Sequence, residues 1–209
     1  MRHTARLTHL VAAMALTVAI PACSERTPAV DADSEAAHAT AGDGDSIYAL
    51  DLALVDATGR TTHLADLRGQ TIVAAMMYTS CTSVCPQITE DMKTIDRQLS
   101  ERGLRGVTFA LFSLDPGRDT PAALRRFAIQ HRLDDARWRL FAESEDGARD
   151  LAAVLGVKYK PDQSGDIAHS AMIVVIDRDG VVRHRQLGLV NDQRELITAL
   201  ARLRPGDGR

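Results

Sequence analysis

Thr71-Ile-Val-Ala-Ala-Met-Met-Tyr78 is a run of eight residues without a charge, and a cysteine follows three positions after it. A continuous apolar run of this kind reads as a strand covered on both faces, and so as a central strand. Cys81-Thr-Ser-Val-Cys85-Pro86 comes next, and Pro86 opens a segment in which Ile88, Met92, Ile95 and Leu99 recur at offsets of four, three and four. That spacing is one face of an amphipathic helix, with proline tolerated in the first turn and Gly103 as its stop. The two cysteines therefore fall on a strand-to-helix turn.

The rest of the chain supplies partners for that strand. Residues 47–55 alternate in part, and Asp56-Ala-Thr-Gly59 is a turn signal before Thr61-Thr-His-Leu64. This predicts an N-terminal β-hairpin with His63 on or near a strand end. Val107-Thr-Phe-Ala-Leu-Phe-Ser-Leu114 reads as a second buried strand, and Asp119-Thr120-Pro121 as the capped start of a helix running to about Arg132. A short strand is expected over 137–141 and a helix over 145–155, closed by Gly156. Ala171–Ile176 is a strand, Asp177-Arg-Asp-Gly180 a tight turn, Val181–Leu187 the hairpin partner, and Asp192–Leu203 a last amphipathic helix. Strand, helix, strand, helix, then hairpin and helix is the order of an α/β, thioredoxin-like sandwich: a mixed central sheet flanked by helices.

Length and charge limit what this domain can be. The 209 residues allow one ordinary domain with appendages. With 25 Lys+Arg against 28 Asp+Glu, the chain has no basic excess to hold a nucleic-acid backbone, so nucleic acid is not an expected partner. The three cysteines are too few for a disulfide-built miniprotein and odd in number, so each needs its own explanation.

Cys23 belongs to the leader. Arg2 and Arg6 precede a 13-residue apolar run, Leu10–Ala22, too short for the roughly 20 residues of a spanning helix but suited to a signal peptide. Ile20-Pro21-Ala22-Cys23 resembles the lipobox of bacterial lipoproteins, in which the cysteine is lipidated and becomes the new N-terminus. The expected organisation is a signal peptide over 1–22, a lipid-anchored, flexible acidic linker over 23–46, the thioredoxin-like domain over 47–203 and a disordered tail over 204–209. Residues 24–46 carry six acids against one Arg and no aromatic residue, a composition unable to bury enough surface to fold. His38 in that stretch reads as a solvated residue. The expected location is the cell envelope or periplasm, attached to a membrane by lipid.

Cys81 and Cys85 carry the chemistry. Positions i and i+4 fall on one side of a helical turn, so the sulfurs can converge on one atom or on each other. A helix N-terminus favours the thiolate, the form that binds soft metals and attacks disulfides. On spacing alone, a structural disulfide, a redox pair and a metal site all stay open.

Three blocks, Tyr78-Thr79-Ser-Cys81-Thr-Ser-Val84-Cys85-Pro86, Leu114-Asp115-Pro116-Gly-Arg118-Asp119-Thr120-Pro121 and Ile167-Ala-His169-Ser170, resemble those of the SCO/SenC family in order and separation. The likeness extends over about 48–200 and includes Asp66-Leu67-Arg68-Gly69. One departure is Thr82, where the family commonly has proline; it removes no ligand. The resemblance implies a copper-binding, thioredoxin-like protein associated with cytochrome c oxidase assembly, with Cys81, Cys85 and His169 as the copper ligands. Two thiolates and an imidazole suit Cu(I), and Cu(II) in a more tetragonal arrangement. It also places Asp115 close to the site, in a supporting or docking role, and gives Arg118 and Asp119 the turn. Met77 reads as core, and His63, His131 and His184 as surface or structural.

The function this implies is a copper chaperone that passes copper to the binuclear copper centre of a haem-copper oxidase. Its partners would be the copper-acceptor subunit of that oxidase, a periplasmic copper donor or thiol reductant, and the membrane through the anchor. The alternatives are a thiol-disulfide oxidoreductase that keeps the oxidase cysteines reduced, with Cys81 and Cys85 as the redox pair, and a copper or redox sensor. Turnover of a small-molecule substrate is not expected.

Overall fold

The computed structural model describes residues 46–134, 136–162, 166–189 and 192–203. The leader, Cys23, most of the acidic linker with His38, and the 204–209 tail lie outside the described residues. A single seven-stranded sheet has the order β2-β1-β5-β4-β3-β8-β9. Its strands are β1 (Ala53–Asp56), β2 (Thr61–His63), β3 (Thr71–Met77), β4 (Val107–Ser113), β5 (Trp138–Ala142), β8 (Met172–Ile176) and β9 (Val182–Leu187). β3, β4 and β5 run parallel, while β1, β2, β8 and β9 are joined antiparallel, so the sheet is mixed as the element order requires.

The helices are α1 (Val84–Glu101), α2 (Pro121–His131), α3 (Glu145–Leu155) and α4 (Arg194–Arg202). All seven residues of β3 are buried, which is why its sequence carries no polar alternation. α1 packs against the strands through Ile88, Met92, Ile95 and Leu99, the stripe its 3.6-residue period puts on one face. Met77 is fully buried core. Phe109 stacks on Trp138 and Phe112 on Phe141, pairing β4 to β5 through aromatic faces.

The structure departs from the sequence reading in three places. Residues 47–49 form a 3₁₀ turn instead of the start of a strand, because Ile47 and Tyr48 plug into the core, and the N-terminal hairpin keeps only 53–56 and 61–63. α1 begins at Val84, two residues before Pro86; a proline in the first turn has no helical acceptor to lose, so it does not mark the boundary. A second, two-stranded sheet, β6 (Tyr159–Pro161) with β7 (Ile167–His169), was not expected; its strands are too short for periodicity to show. It pairs Tyr159 with His169.

The N-terminal turn is clamped to the β8–β9 hairpin. Ile47 donates its amide to the Gly180 carbonyl at 3.0 Å, the Ser46 hydroxyl bonds the Asp179 carbonyl, and the Tyr48 hydroxyl donates to the Leu67 carbonyl at 3.0 Å. Gly180 has φ +87°, and a Cβ there would meet Ser46 Oγ and overlap the Tyr48 ring at 2.5 Å. Gly59 has the same φ with open space around it. Gly180→Ala should therefore lose about 1–3 kcal/mol more than Gly59→Ala in urea unfolding, the difference being the packing of Tyr48 on the turn. Equal losses would mean that the clamp contributes nothing.

Candidate metal centre

Strand β3 delivers the chain to the site and α1 takes it away. Between them Tyr78–Ser83 form the loop, and the amide of Cys81 donates to the Tyr78 carbonyl at 3.2 Å. Cys81 stands before the helix and Cys85 is its second residue. The Cys85 amide, one of the unpaired donors of a helix N-terminus, points at Cys81 Sγ at 3.4 Å. His169 arrives from the far end of the sequence on β7, and its Nε2 lies 3.2 Å from Cys85 Sγ. The two sulfurs and an imidazole nitrogen all fall within 4.8 Å of one another, the one such cluster among the described residues. Both cysteines are free thiols.

Two hydrogen-bonded ties hold this geometry. Asp119 is 1% exposed and accepts from the Thr79 amide at 2.9 Å, the Thr79 hydroxyl at 2.6 Å and the Ser113 hydroxyl at 2.6 Å, binding the cysteine loop to the end of β4. Tyr78 is the second tie: its hydroxyl donates to Asp166 Oδ1 at 3.1 Å and accepts the Ile167 amide at 3.3 Å, fastening β7 beside β3. Its ring meets His169 edge-on, with centroids 6.0 Å apart. In the sequence Asp119 reads as a turn or cap residue and Tyr78 as the first residue of the cysteine block; the signal for their ties is Tyr78 at the start of the cysteine loop and Asp166 directly before the histidine strand.

Asp115 stands just beyond β4, and its charge acts on Asp119. Its carboxylate pairs with Arg118 and its amide donates to Ser113 Oγ at 2.9 Å. Among the described residues, no hydrogen bond joins it to the cysteines or His169. His63, His131 and His184 also stand outside the cluster.

The electrostatics divide the two thiols. Burial works against the thiolate at Cys81, but hydrogen bonding with the Cys85 thiol and the amides of Cys85 and Ser83 outweighs it and holds Cys81 below the ordinary thiol value. Burial, with a further push from Cys81, drives the Cys85 thiol well above it. Burial also lowers His169, favouring neutral imidazole. With Nδ1–H donating to the Ser170 carbonyl at 3.1 Å, the Nε2 lone pair is the one that faces the sulfurs. Burial raises Asp119, and raises the neighbouring Glu143 well above the usual carboxyl range.

Neutral imidazole and two convergent sulfurs make a soft donor set open to a three-coordinate ion. The SCO1/SenC family pattern matches residues 41–204, most of the chain. The chain belongs to the SCO1/SenC family. It is 26% identical over 136 residues to the SCO1 protein homolog of Bacillus subtilis, covering 64% of this chain and 70% of that one. It is 30% identical over 141 residues to the mitochondrial SCO2 homolog of Bos taurus, covering 63% of this chain and half of that protein's length. Among solved structures, a SCO1/SenC family lipoprotein from Bacillus anthracis aligns with TM-score 0.68 at 26% identity, over 74% of this chain and 93% of that one. Copper-bound ScoI of Bradyrhizobium japonicum aligns with TM-score 0.56 at 24% identity, over 74% and 98%, and shares the fold. The family's three sequence blocks thus converge on one end of the sheet: the first carries Cys81 and Cys85, the second Asp119, the third His169.

The thiol asymmetry has a chemical readout. Iodoacetamide should alkylate Cys81 before Cys85 in the reduced protein, with the Cys81 rate reaching half its maximum below the pH of a free cysteine; peptide mass mapping resolves the order. The loop tie has a thermodynamic one. Asp119→Ala leaves the Thr79 amide and Ser113 hydroxyl without their acceptor and should cost about 2–4 kcal/mol in urea unfolding. Asp115→Ala, which removes a partly exposed ion pair, should cost less than about 1 kcal/mol.

Proposed function

We propose that this protein is a copper metallochaperone that holds one copper ion between Cys81, Cys85 and His169 and passes it to the binuclear copper centre of a haem-copper respiratory oxidase. The SCO1/SenC family, one of copper-binding proteins involved in cytochrome c oxidase assembly, supports the class of function. The observation that carries the reading is the convergence of two sulfurs and an imidazole within 4.8 Å, brought together from segments 84 residues apart. Copper is cargo in this account. Two thiolates and one imidazole satisfy Cu(I) without closing a fourth position, and an incoming ligand of the acceptor can attack there before a donor departs. Cu(II) would take the same ligands in a more tetragonal arrangement.

The same cysteines support a second reading, a thiol-disulfide exchange role toward the acceptor's copper-site cysteines. The observation that favours it is the unequal pair: Cys81 is the thiol held toward thiolate, and Cys85, adjacent and buried, is placed to resolve a mixed disulfide. Closing the Cys81–Cys85 disulfide removes both sulfur ligands, so copper holding and the oxidised state exclude each other. Redox poise would then set when the protein can carry copper.

The location follows from the leader. A signal peptide over 1–22 and lipidation of Cys23 would put the domain outside the cytoplasm, attached to a membrane. Among the described residues no helix is long and apolar enough to cross one.

Anaerobic competition titration of the reduced chain with Cu(I) should show one equivalent bound. Cys81→Ala, Cys85→Ala and His169→Ala should each weaken it at least tenfold, and the oxidised protein should bind no tight copper. Unchanged affinity in His169→Ala would remove the imidazole from the site. Rapid reduction of an acceptor-domain disulfide, with no copper transfer from the loaded protein, would favour the thiol-disulfide reading over the chaperone.

A further inference from the structure

The cysteine loop occupies one pole of the sheet, where β3 and β4 end. The opposite pole, where these strands begin, has another character. A groove of about 240 Å³ there is lined by Leu99, Leu104, Leu200 and Leu203 and flanked by Arg105 and Arg178. Arg102 caps the end of α1 and Arg202 ends α4, next to these leucines in the chain. Arg68 joins them, because the following Gly69 donates its amide to the Arg178 carbonyl at 2.8 Å.

All of these arginines are exposed, and none forms an ion pair among the described residues. Asp177 at this pole is paired with Arg183, and the exposed acids here include Glu101, Asp179, Asp66 two residues before Arg68, and Asp134 just ahead of β5. The five exposed arginines outnumber these four acids, in a chain whose formal net charge is −3.

An excess of exposed arginines around an apolar groove matches a surface that is anionic and backed by hydrocarbon, which is the headgroup layer of a membrane containing anionic phospholipid. The path of the chain brings that surface within reach, through a linker whose six acids compete with lipid for the arginines. The chain enters the domain at Ser46 and Ile47, which bond the Asp179 and Gly180 carbonyls immediately beyond Arg178. The covalent route from Cys23 thus reaches the domain at the arginine pole.

We infer that the arginine pole docks on the anionic phospholipid surface of the membrane that carries the chain, and so turns the Cys81–Cys85–His169 end away from the bilayer. This goes beyond the copper reading and rests on the lipid attachment of Cys23 only for which membrane is faced. The electrostatic part falls off within a Debye length, so it holds the domain only when the tether brings it close, and it leaves the docking reversible.

Hydrogen–deuterium exchange on the full chain, recovered from bacterial membranes into nanodiscs, tests the inference. Segments 102–106 and 177–181 should exchange several-fold more slowly on phosphatidylglycerol discs than on phosphatidylcholine discs. The difference should vanish in Arg105→Glu/Arg178→Glu and at about 0.5 M salt. Equal exchange on the two discs overturns the inference, as does protection that survives the charge reversal. Cu(I) binding unchanged in the double variant shows that it is folded, and Arg105→Gln/Arg178→Gln gives a milder version of the same loss.

The anchor is scored separately, by the mass of the N-terminal peptide. If Cys23 is unacylated, the arginine pole still has to act: the Glu double variant should bind phosphatidylglycerol vesicles roughly tenfold or more weakly than the wild type, since each basic residue near an anionic surface contributes on the order of fivefold. Equal binding by variant and wild type overturns the docking. Loss of Cu(I) binding in His169→Ala is a different result from either, so the copper reading and the docking fail independently.

Discussion

A strand-to-helix turn cannot by itself make a three-donor site, because the third donor comes from another part of the chain. The hydroxyl of Tyr78 solves that problem. Placed at the end of the central strand, it donates to Asp166 and accepts from the Ile167 amide, and so sets the strand that ends at His169 beside the cysteine loop. Asp119 completes the frame from the other side by fixing Thr79 to the end of β4. Each tie includes a buried bond, Ser113 to Asp119 and the Ile167 amide to Tyr78, where hydrogen bonds are electrostatically stronger and an unmade one is costly. The donors therefore approach a bound geometry before any ion arrives, and less ordering is left for binding to supply.

Preorganisation here is paired with unequal thiols. Cys81 gains from the helix N-terminus, through the Cys85 amide, while Cys85 sits deeper and is driven toward its protonated form. A metal ion reverses that penalty, because positive charge between the sulfurs compensates the burial of both. Metal uptake is thereby coupled to proton release. An oxidant acts on the same pair in the other direction, closing the sulfurs on each other. The site can thus hold a soft cation or a disulfide, and the two states compete for the same atoms.

Much of this architecture was legible in the sequence, and the reasons are local. β3 and β4 are continuous apolar runs, α1 shows its face through Ile88, Met92, Ile95 and Leu99, and Thr120-Pro121 marks the start of α2. The three-residue strands β6 and β7 were not legible, since a period of two cannot show in three positions; β7 is also held by Tyr78, eighty-nine residues from the Ile167 amide it accepts. Ile47 and Tyr48 misled for a related reason. They are apolar because they plug a turn against Gly180, a tertiary contact that looks in the sequence like the start of a strand. At the site, the cysteines announced themselves by spacing and His169 by its block, whereas the role of Asp119 emerges only once Ser113 and Thr79 are adjacent. The pairing of Asp115 with Arg118 is likewise visible only in the structure.

The central claim is that Cys81, Cys85 and His169 bind one ion together. X-ray absorption spectroscopy of the reduced chain loaded with one equivalent of Cu(I) tests it most directly. The account predicts two sulfur scatterers and one imidazole nitrogen in the wild type, with the nitrogen lost in His169→Ala. A wild-type spectrum of two sulfurs alone, unchanged in His169→Ala, would contradict it.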